Sequence, residues 1–144
     1  MVSGQSQRLI FVISAASGTG KTTLVQRLLH EPTAPKFSIS HTTRPPRIGV
    51  KDGRVYHFVS EDRFQAMVDR GDFVEWALVH GHRYGSSRQE LQTKGDLLLD
   101  IDTQGALNIK RDFPDRAVMI FLAPPAVGTL KSRLRLRGTE SEAE

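Results

Sequence analysis

The chain has 144 residues, 38% of them hydrophobic and 25% charged, with a formal net charge of +4 and no cysteine. That is enough for one domain with its own core, and it excludes a disordered chain, a disulfide scaffold and a thiolate metal site. No apolar run approaches the ~20 residues of a membrane helix, and residues 1–8 contain no secretory apolar core, so a soluble, cytoplasmic protein is expected.

The first predicted strand is the apolar run Leu9-Ile10-Phe11-Val12-Ile13, followed by Ser14-Ala15-Ala16-Ser17-Gly18-Thr19-Gly20-Lys21-Thr22-Thr23 and a helix with Leu24, Val25, Leu28 and Leu29 on its apolar side. Strand, glycine-bearing turn and helix in that order form a phosphate cradle, because backbone N–H groups and the positive helix end face an anion. Lys21 supplies a point charge for β- and γ-phosphates, and the Thr22 hydroxyl is a candidate Mg²⁺ ligand. The match to G-x-x-x-x-G-K-[ST] is incomplete, since Ala15 stands at the first-glycine position. An ordinary strand–helix connection is the alternative.

Pro32 and Pro35 end that helix. Residues 37–41 alternate like a short strand, and Thr42-Thr43-Arg44-Pro45-Pro46-Arg47 is a stiff extended segment, because a residue before proline avoids the helical region. Asp52-Gly53 predicts a hairpin turn between strands at 47–51 and 54–59. Ser60 is a candidate N-cap for a helix with Phe64, Met67 and Val68 inward and Gly71 at its end. Strands are predicted at 73–79 and 83–84 around Gly81-His82. Ser86 or Ser87 caps a short helix ended by Gly95. A buried strand at 97–102 carries Asp100 and Asp102 near its C-terminal end, a helix covers about 103–111, and an apolar strand covers 118–122. Pro125 opens a last helix with Val127, Leu130 and Leu134 inward.

Alternating strands and helices predict a parallel, helix-covered sheet, interrupted at 44–86 by an α+β insertion that forms a jaw at the sheet's C-terminal edge, where such folds bind ligands. The basic residues are clustered rather than spread: Arg44 and Arg47 flank two prolines, and Lys131, Arg133, Arg135 and Arg137 crowd one segment. Small anionic substrates explain such clusters as well as a polynucleotide does, and no recognition helix, RNP-type strand or zinc motif is present. Two guanidinium forks on a stiff segment are suited to one phosphate group, to which Tyr56 and Tyr84 can donate hydroxyls. Solvated surface arginines and packing tyrosines are the alternative.

Ser40-His41-Thr42-Thr43-Arg44-Pro45-Pro46-Arg47, Phe73-Val74-Glu75-Trp76-Ala77, Tyr84-Gly85-Ser86 and Leu99-Asp100-Ile101-Asp102-Thr103-Gln104-Gly105, together with the phosphate loop and its Ala15, closely resemble the guanylate kinase family from about residue 10 to 142. The resemblance implies a P-loop α/β/α fold, with a core at 1–36 and 95–125, a GMP-binding subdomain at 37–94 and the start of a lid at 126–144. It implies transfer of the ATP γ-phosphoryl group to GMP, and also to dGMP, with Mg²⁺. ATP would lie on Ser14, Ala15, Ala16, Ser17, Gly18, Thr19, Gly20, Lys21, Thr22 and Thr23. Ser40, Glu75 and Ser86 sit where the family contacts guanine; Arg44, Arg47, Tyr56 and Tyr84 sit where it holds the GMP phosphate. Asp100 and Asp102 match acidic positions near the guanine, the Mg²⁺ and the transferring group, and Arg133 and Arg137 match lid arginines. Lys21, Arg44, Asp102, Arg133 and Arg137 are thereby the candidate catalytic set.

The residue chemistry is consistent with these roles. Guanine presents N1–H and an N2 amino group, and an ionised Glu75 is acceptor-only. Asp100 and Asp102, two apart, share a face if the strand continues. The alternatives are a surface glutamate, a buried structural carboxylate pair and a solvated basic helix end. The sequence ends within the region resembling the lid, which predicts an exposed apolar edge at 118–122 and poor stability or self-association. A non-catalytic binding domain of the same family, or an inactive fragment, is the competing functional expectation.

Overall fold

The computed structural model describes residues 8–16, 19–49 and 51–123. In chain order the elements are β1 (Ile10–Ala15), α1 (Lys21–Leu29), β2 (Lys36–Phe37), β3 (Ser40–Thr42), β4 (Tyr56–Phe58), α2 (Glu61–Asp69), β5 (Phe73–Val79), β6 (His82–Ser87), α3 (Arg88–Leu91), β7 (Leu97–Asp100), α4 (Thr103–Asp112) and β8 (Ala117–Leu122).

Four strands form a parallel sheet in the order β2-β7-β1-β8. Its central strands are apolar on both faces, as a sheet covered by helices on both sides requires. Side chains alternate along a strand, so β1 and β7 serve two separate cores. Ile10, Val12, Leu97 and Leu99 pack with Ala106 and Ile109 of α4, while Ile13 and Leu98 pack with Val25 of α1. The result is a three-layer α/β/α arrangement. Strand β8 completes this sheet among the described residues, with Val118, Met119, Ile120 and Phe121 exposed.

The other four strands form a second sheet in the order β4-β3-β6-β5, antiparallel except for the parallel pair β3–β4. Phe64 and Met67 of α2 and Phe73 of β5 make its core, with the Phe64 and Phe73 rings stacked at 4.5 Å. Local punctuation behaves as predicted here. Ser60 Oγ accepts the Arg63 N–H at 3.1 Å, and Gly71, with φ 72°, follows the C-cap of α2. His80 and Gly81 both have positive φ in the tight turn between β5 and β6.

Three expectations are corrected. The stretch 37–41 is not one strand: Phe37 ends β2 in the first sheet, and Ser40 begins β3 in the second. Alternation announces extended chain but does not say which sheet receives it. Asp52-Gly53 is not a hairpin turn, because β4 runs parallel to β3 and no strand occupies the described residues at 47–51. Gly53 N–H instead bonds Tyr56 O at 2.8 Å, and Asp52 Oδ1 accepts Phe58 N–H at 2.7 Å, making a local loop brace. Finally, the strand expected at 97–102 stops at Asp100, and Asp102 is the N-cap of α4. The helix expected after Pro125 lies outside the described residues.

A Cβ on Gly85 would stand 2.7 Å from two ring carbons of Phe73 and 3.1 Å from Phe64. Both rings are in the packed core, so neither can swing away freely. Gly85→Ala should therefore destabilise the chain by about 1–3 kcal/mol. A urea midpoint unchanged from that of the parent chain would contradict this packing.

Candidate functional site

Strand β1 delivers the chain to the phosphate-loop turn and α1 leaves it. Gly20, with φ 87° and ψ 19°, is the residue before α1 and caps it with no side-chain hydrogen bond. This left-handed conformation favours glycine, and an uncapped helix start leaves N–H donors unsatisfied by side chains. Thr19 Oγ1 donates to Ala16 O at 2.9 Å and tightens the turn. Ser14 is buried, its hydroxyl 3.5 Å from Thr103 Oγ1, and Thr22 and Thr23 are exposed on the first turn of α1. Ser17 and Gly18 lie outside the described residues. Lys21 Nζ pairs with Asp100 Oδ1 at 2.7 Å, so the lysine of the turn meets the end of the neighbouring strand β7.

The next carboxylate along, Asp102, is fixed by the helix that follows. Its Oδ2 accepts Gln104 N–H at 3.0 Å and its Oδ1 accepts Gly105 N–H at 3.2 Å. Asp100 and Asp102 thus hold different posts, one on the lysine and one on a helix start. An Asp immediately before a helix is a common N-cap, and that signal was readable in the sequence.

In the second sheet Glu75 is 6% exposed, on the strand that pairs with β6. A register shift between Phe73 and Glu75 brings Glu75 opposite Ser86, and such a bulge re-aims a side chain. Ser86 Oγ donates to Glu75 Oε1 at 2.7 Å. The other oxygen lies against α4: a Cβ on Gly105 would be 2.7 Å from Glu75 Oε2 and 3.0 Å from Asp102 Oδ1. Only a glycine lets these two carboxylates converge. Burial pushes the Glu75 carboxyl up to about 7, the Asp102 charge adds to the rise, and the Ser86 hydroxyl and amide oppose it. Sequence reading did not find Gly105 as a contact of Glu75, because Gly105 lies on α4, packed on the first sheet, and Glu75 on β5 of the second.

The arginine segment is anchored by its threonines. Thr42 Oγ1 donates to Arg83 O at 2.9 Å and accepts Arg44 N–H at 3.1 Å, while Thr43 Oγ1 accepts Arg83 N–H at 3.0 Å. The sequence treated Thr42 and Thr43 only as stiff chain, although such side-chain bonds to nearby backbone are a recognised habit of threonine. The Arg44 guanidinium lies 5.3 Å from the Tyr56 ring centroid, and its buried Nε has no hydrogen-bond partner among the described residues. The Tyr56 and Tyr84 rings are 5.8 Å apart. Burial first, then the Asp100 charge, pushes the Tyr56 hydroxyl above its usual range, with the Arg44 and Arg47 charges opposing. Tyr56 is therefore a protonated donor near pH 7. Arg47 is exposed on the loop beyond Pro46, and Ser40 is buried opposite Tyr56 in the β3–β4 register. Arg133 and Arg137 lie outside the described residues.

The parallel sheet, the glycine turn bearing Lys21 and the adjoining acidic strand end define a P-loop nucleotide-binding α/β protein. A sequence model described as guanylate kinase matches residues 7–144. The chain is 49% identical over 137 residues to the guanylate kinase of Aromatoleum aromaticum, covering 92% of this chain and 67% of that protein. It is 50% identical over 136 residues to that of a Polaromonas species, covering 92% and 66%. A crystal structure of guanylate kinase from Anaplasma phagocytophilum superposes with a TM-score of 0.78 at 34% identity, over 91% of this chain and 68% of that one. The chain belongs to the guanylate kinase family. It spans about two thirds of the length of these curated relatives. The family is one of nucleoside monophosphate kinases, and the likeness does not favour a non-catalytic binding domain. Among the described residues no helix is long and apolar enough to cross a membrane.

Glu75 should leave a signature in stability. Its ordinary carboxyl value is 4.5 and its folded value about 7. The fold favours the protonated form, so its contribution is full below pH 4.5 and is lost as pH rises through about 7. Glu75→Gln mimics the protonated form at every pH. In metal-free buffer the variant should gain about 1–3 kcal/mol on the parent chain between pH 5 and pH 8. Parallel stability curves in thermal denaturation would contradict the burial of an ionisable group there.

Proposed function

We propose that this chain binds ATP on the phosphate-loop turn and GMP in the second sheet, and transfers the γ-phosphoryl group between them to give ADP and GDP. The observation that carries this reading is the Glu75 carboxylate, buried beside Ser86 and held against the helix that begins at Asp102, two residues after the aspartate paired with Lys21.

The two ends of the acceptor would be read by different chemistry. Guanine's N1–H and N2 amino hydrogens both suit an acceptor-only carboxylate, while adenine's N1 edge would leave the Glu75 oxygen unpaired. Sites built on such hydrogen bonds discriminate by about 10⁴–10⁵. Ser40 and Ser86 would complete the base pocket, with Asp100 nearby. Arg44, whose buried Nε has no partner among the described residues, would take the acceptor phosphate with Arg47, Tyr56 and Tyr84.

At the donor end, residues 14–23 would cradle the ATP phosphates and Lys21 would neutralise the moving group. Thr22 and Asp100, with Asp102, offer hard oxygens of the kind Mg²⁺ takes. Among the described residues there is no cluster of three His, Asp or Glu groups able to hold a metal. That fits Mg²⁺, which usually binds one or two protein oxygens and relies on phosphates and water for the rest. Bound there, Mg²⁺ would neutralise phosphate charge. The chain's own part is alignment of an acceptor phosphate oxygen with the γ-phosphorus and supply of positive charge, since the transition state is loose and little covalent chemistry is needed. Arg44 would act on both substrates, and Arg133 and Arg137 on the donor side. We place the first sheet and its helices as the donor core, 38–94 as the acceptor subdomain and 126–144 as the start of the lid. A cytoplasmic location is part of the same proposal.

Lys21→Met should lower phosphoryl transfer about 10²–10³-fold while GMP binding holds. Glu75→Gln should weaken GMP about 10–100-fold, because the amide presents one acceptor where the carboxylate presents two. A coupled ADP-release assay with GMP, dGMP, AMP and UMP checks both. Full activity in the lysine variant, or unchanged GMP affinity in the glutamine variant, would refute the assignment.

A further inference from the structure

Behind the proposed acceptor site lies a polar cluster that the reaction does not use. Strands β3 and β4 pair in register Ser40↔Tyr56 and His41↔His57. Side chains alternate along a strand, so His41 and His57 point away from the face that carries Ser40 and Tyr56. Their rings are 4.6 Å apart, and His41 also meets the Phe73 ring edge-on at 5.8 Å.

Glu90, on the short helix α3, reaches into this layer with both oxygens. Its Oε1 accepts from His57 Nε2 at 3.3 Å, and its Oε2 accepts the Ile39 N–H at 3.2 Å. One carboxylate therefore grips the side chain of β4 and the backbone just ahead of β3. The backbone beneath Glu90 is also fixed, because Ser87 Oγ accepts the Glu90 N–H at 3.2 Å. Ser87 directly follows Ser86, the partner of Glu75. Glu90 thus connects three segments: its carboxylate holds Ile39, next to Ser40, and His57, next to Tyr56, and its amide is held by Ser87, next to Ser86.

We propose that Glu90 is a positioning residue for the acceptor site: through His57 and the Ile39 amide it sets how β3 and β4 stand against the Ser86 end of β6. This rests on the reading of that site as the GMP pocket. Glu90 itself touches no substrate. Its effect is confined to acceptor geometry, because among the described residues none of its contacts reaches α1 or the phosphate-loop turn.

The test uses the full chain and its single tryptophan, Trp76, which adjoins Glu75. GMP affinity is read from Trp76 fluorescence, and MgATP affinity from calorimetry, for the parent chain, Glu90→Ala, Glu90→Gln and Glu75→Gln. Glu90→Ala should raise the GMP dissociation constant about tenfold, less than two hydrogen bonds to a charged acceptor are worth in full, because the residue acts on the site only through β3 and β4. Its MgATP constant should stay within about twofold, since no donor-site contact changes. Glu90→Gln keeps an acceptor for Ile39 N–H and should recover most of the GMP affinity, while the unchanged MgATP constant of Glu90→Ala separates positioning from general loss of fold. The proposal is overturned if Glu90→Ala binds GMP like the parent chain while Glu75→Gln is weakened. It is equally overturned if Glu90→Ala loses GMP and MgATP affinity together. If the parent chain itself does not bind GMP, the reading of the pocket fails first and the positioning role falls with it.

Discussion

A carboxylate buried in a protein must be neutral, paired or poised for a ligand, and Glu75 is the point at which this chain meets that constraint. Burial and the Asp102 charge push its carboxyl up to about 7, with only Ser86 in opposition. The cost of holding it there is sustained by surrounding structure: a bulge that re-aims β5, a glycine at 105 that leaves room, and a paired strand that supplies the Ser86 hydroxyl. Strained electrostatics of this kind mark functional sites more often than structural ones.

The same constraint falls where the two sheets meet. Strand β7 and helix α4 belong to the parallel core, yet their junction touches both halves. Asp100 pairs with Lys21 of the phosphate-loop turn, and two residues later Asp102 caps α4 beneath the Glu75 carboxylate. On the proposed reading, a short stretch of chain would link donor charge to acceptor recognition. The second sheet adds its own rigidity, since Thr42 and Thr43 tie the base of the arginine segment to the Arg83 backbone. In the proposed reaction the fold would supply alignment, the main demand of a loose phosphoryl-transfer transition state.

What the sequence disclosed was local. Gly20, Lys21 and Thr22 are contiguous, so their shared task could be read without a structure. Ser60 and Gly71 mark the ends of α2 by rules that act within one turn of helix. What it concealed was partner choice. Residues 37–41 read as one strand because alternation carries no address, and the chain in fact passes from one sheet to the other between Phe37 and Ser40. Asp52-Gly53 gives a strong hairpin signal, but β4 finds β3 in parallel instead, and the Asp and Gly serve a loop. The approach of Gly105 to Glu75 joins residues thirty positions apart and no spacing rule reaches it. The family resemblance named Glu75 as a guanine contact; its burial and its elevated carboxyl became visible only with the fold.

The most direct measurement is a crystal structure of this chain grown with GMP. The account predicts the guanine edge on the Glu75 carboxylate, with N···O separations of about 2.7–3.0 Å, and the phosphate among Arg44, Arg47, Tyr56 and Tyr84. Nucleotide density away from the second sheet, with Glu75 still bonded to Ser86 alone, would contradict it.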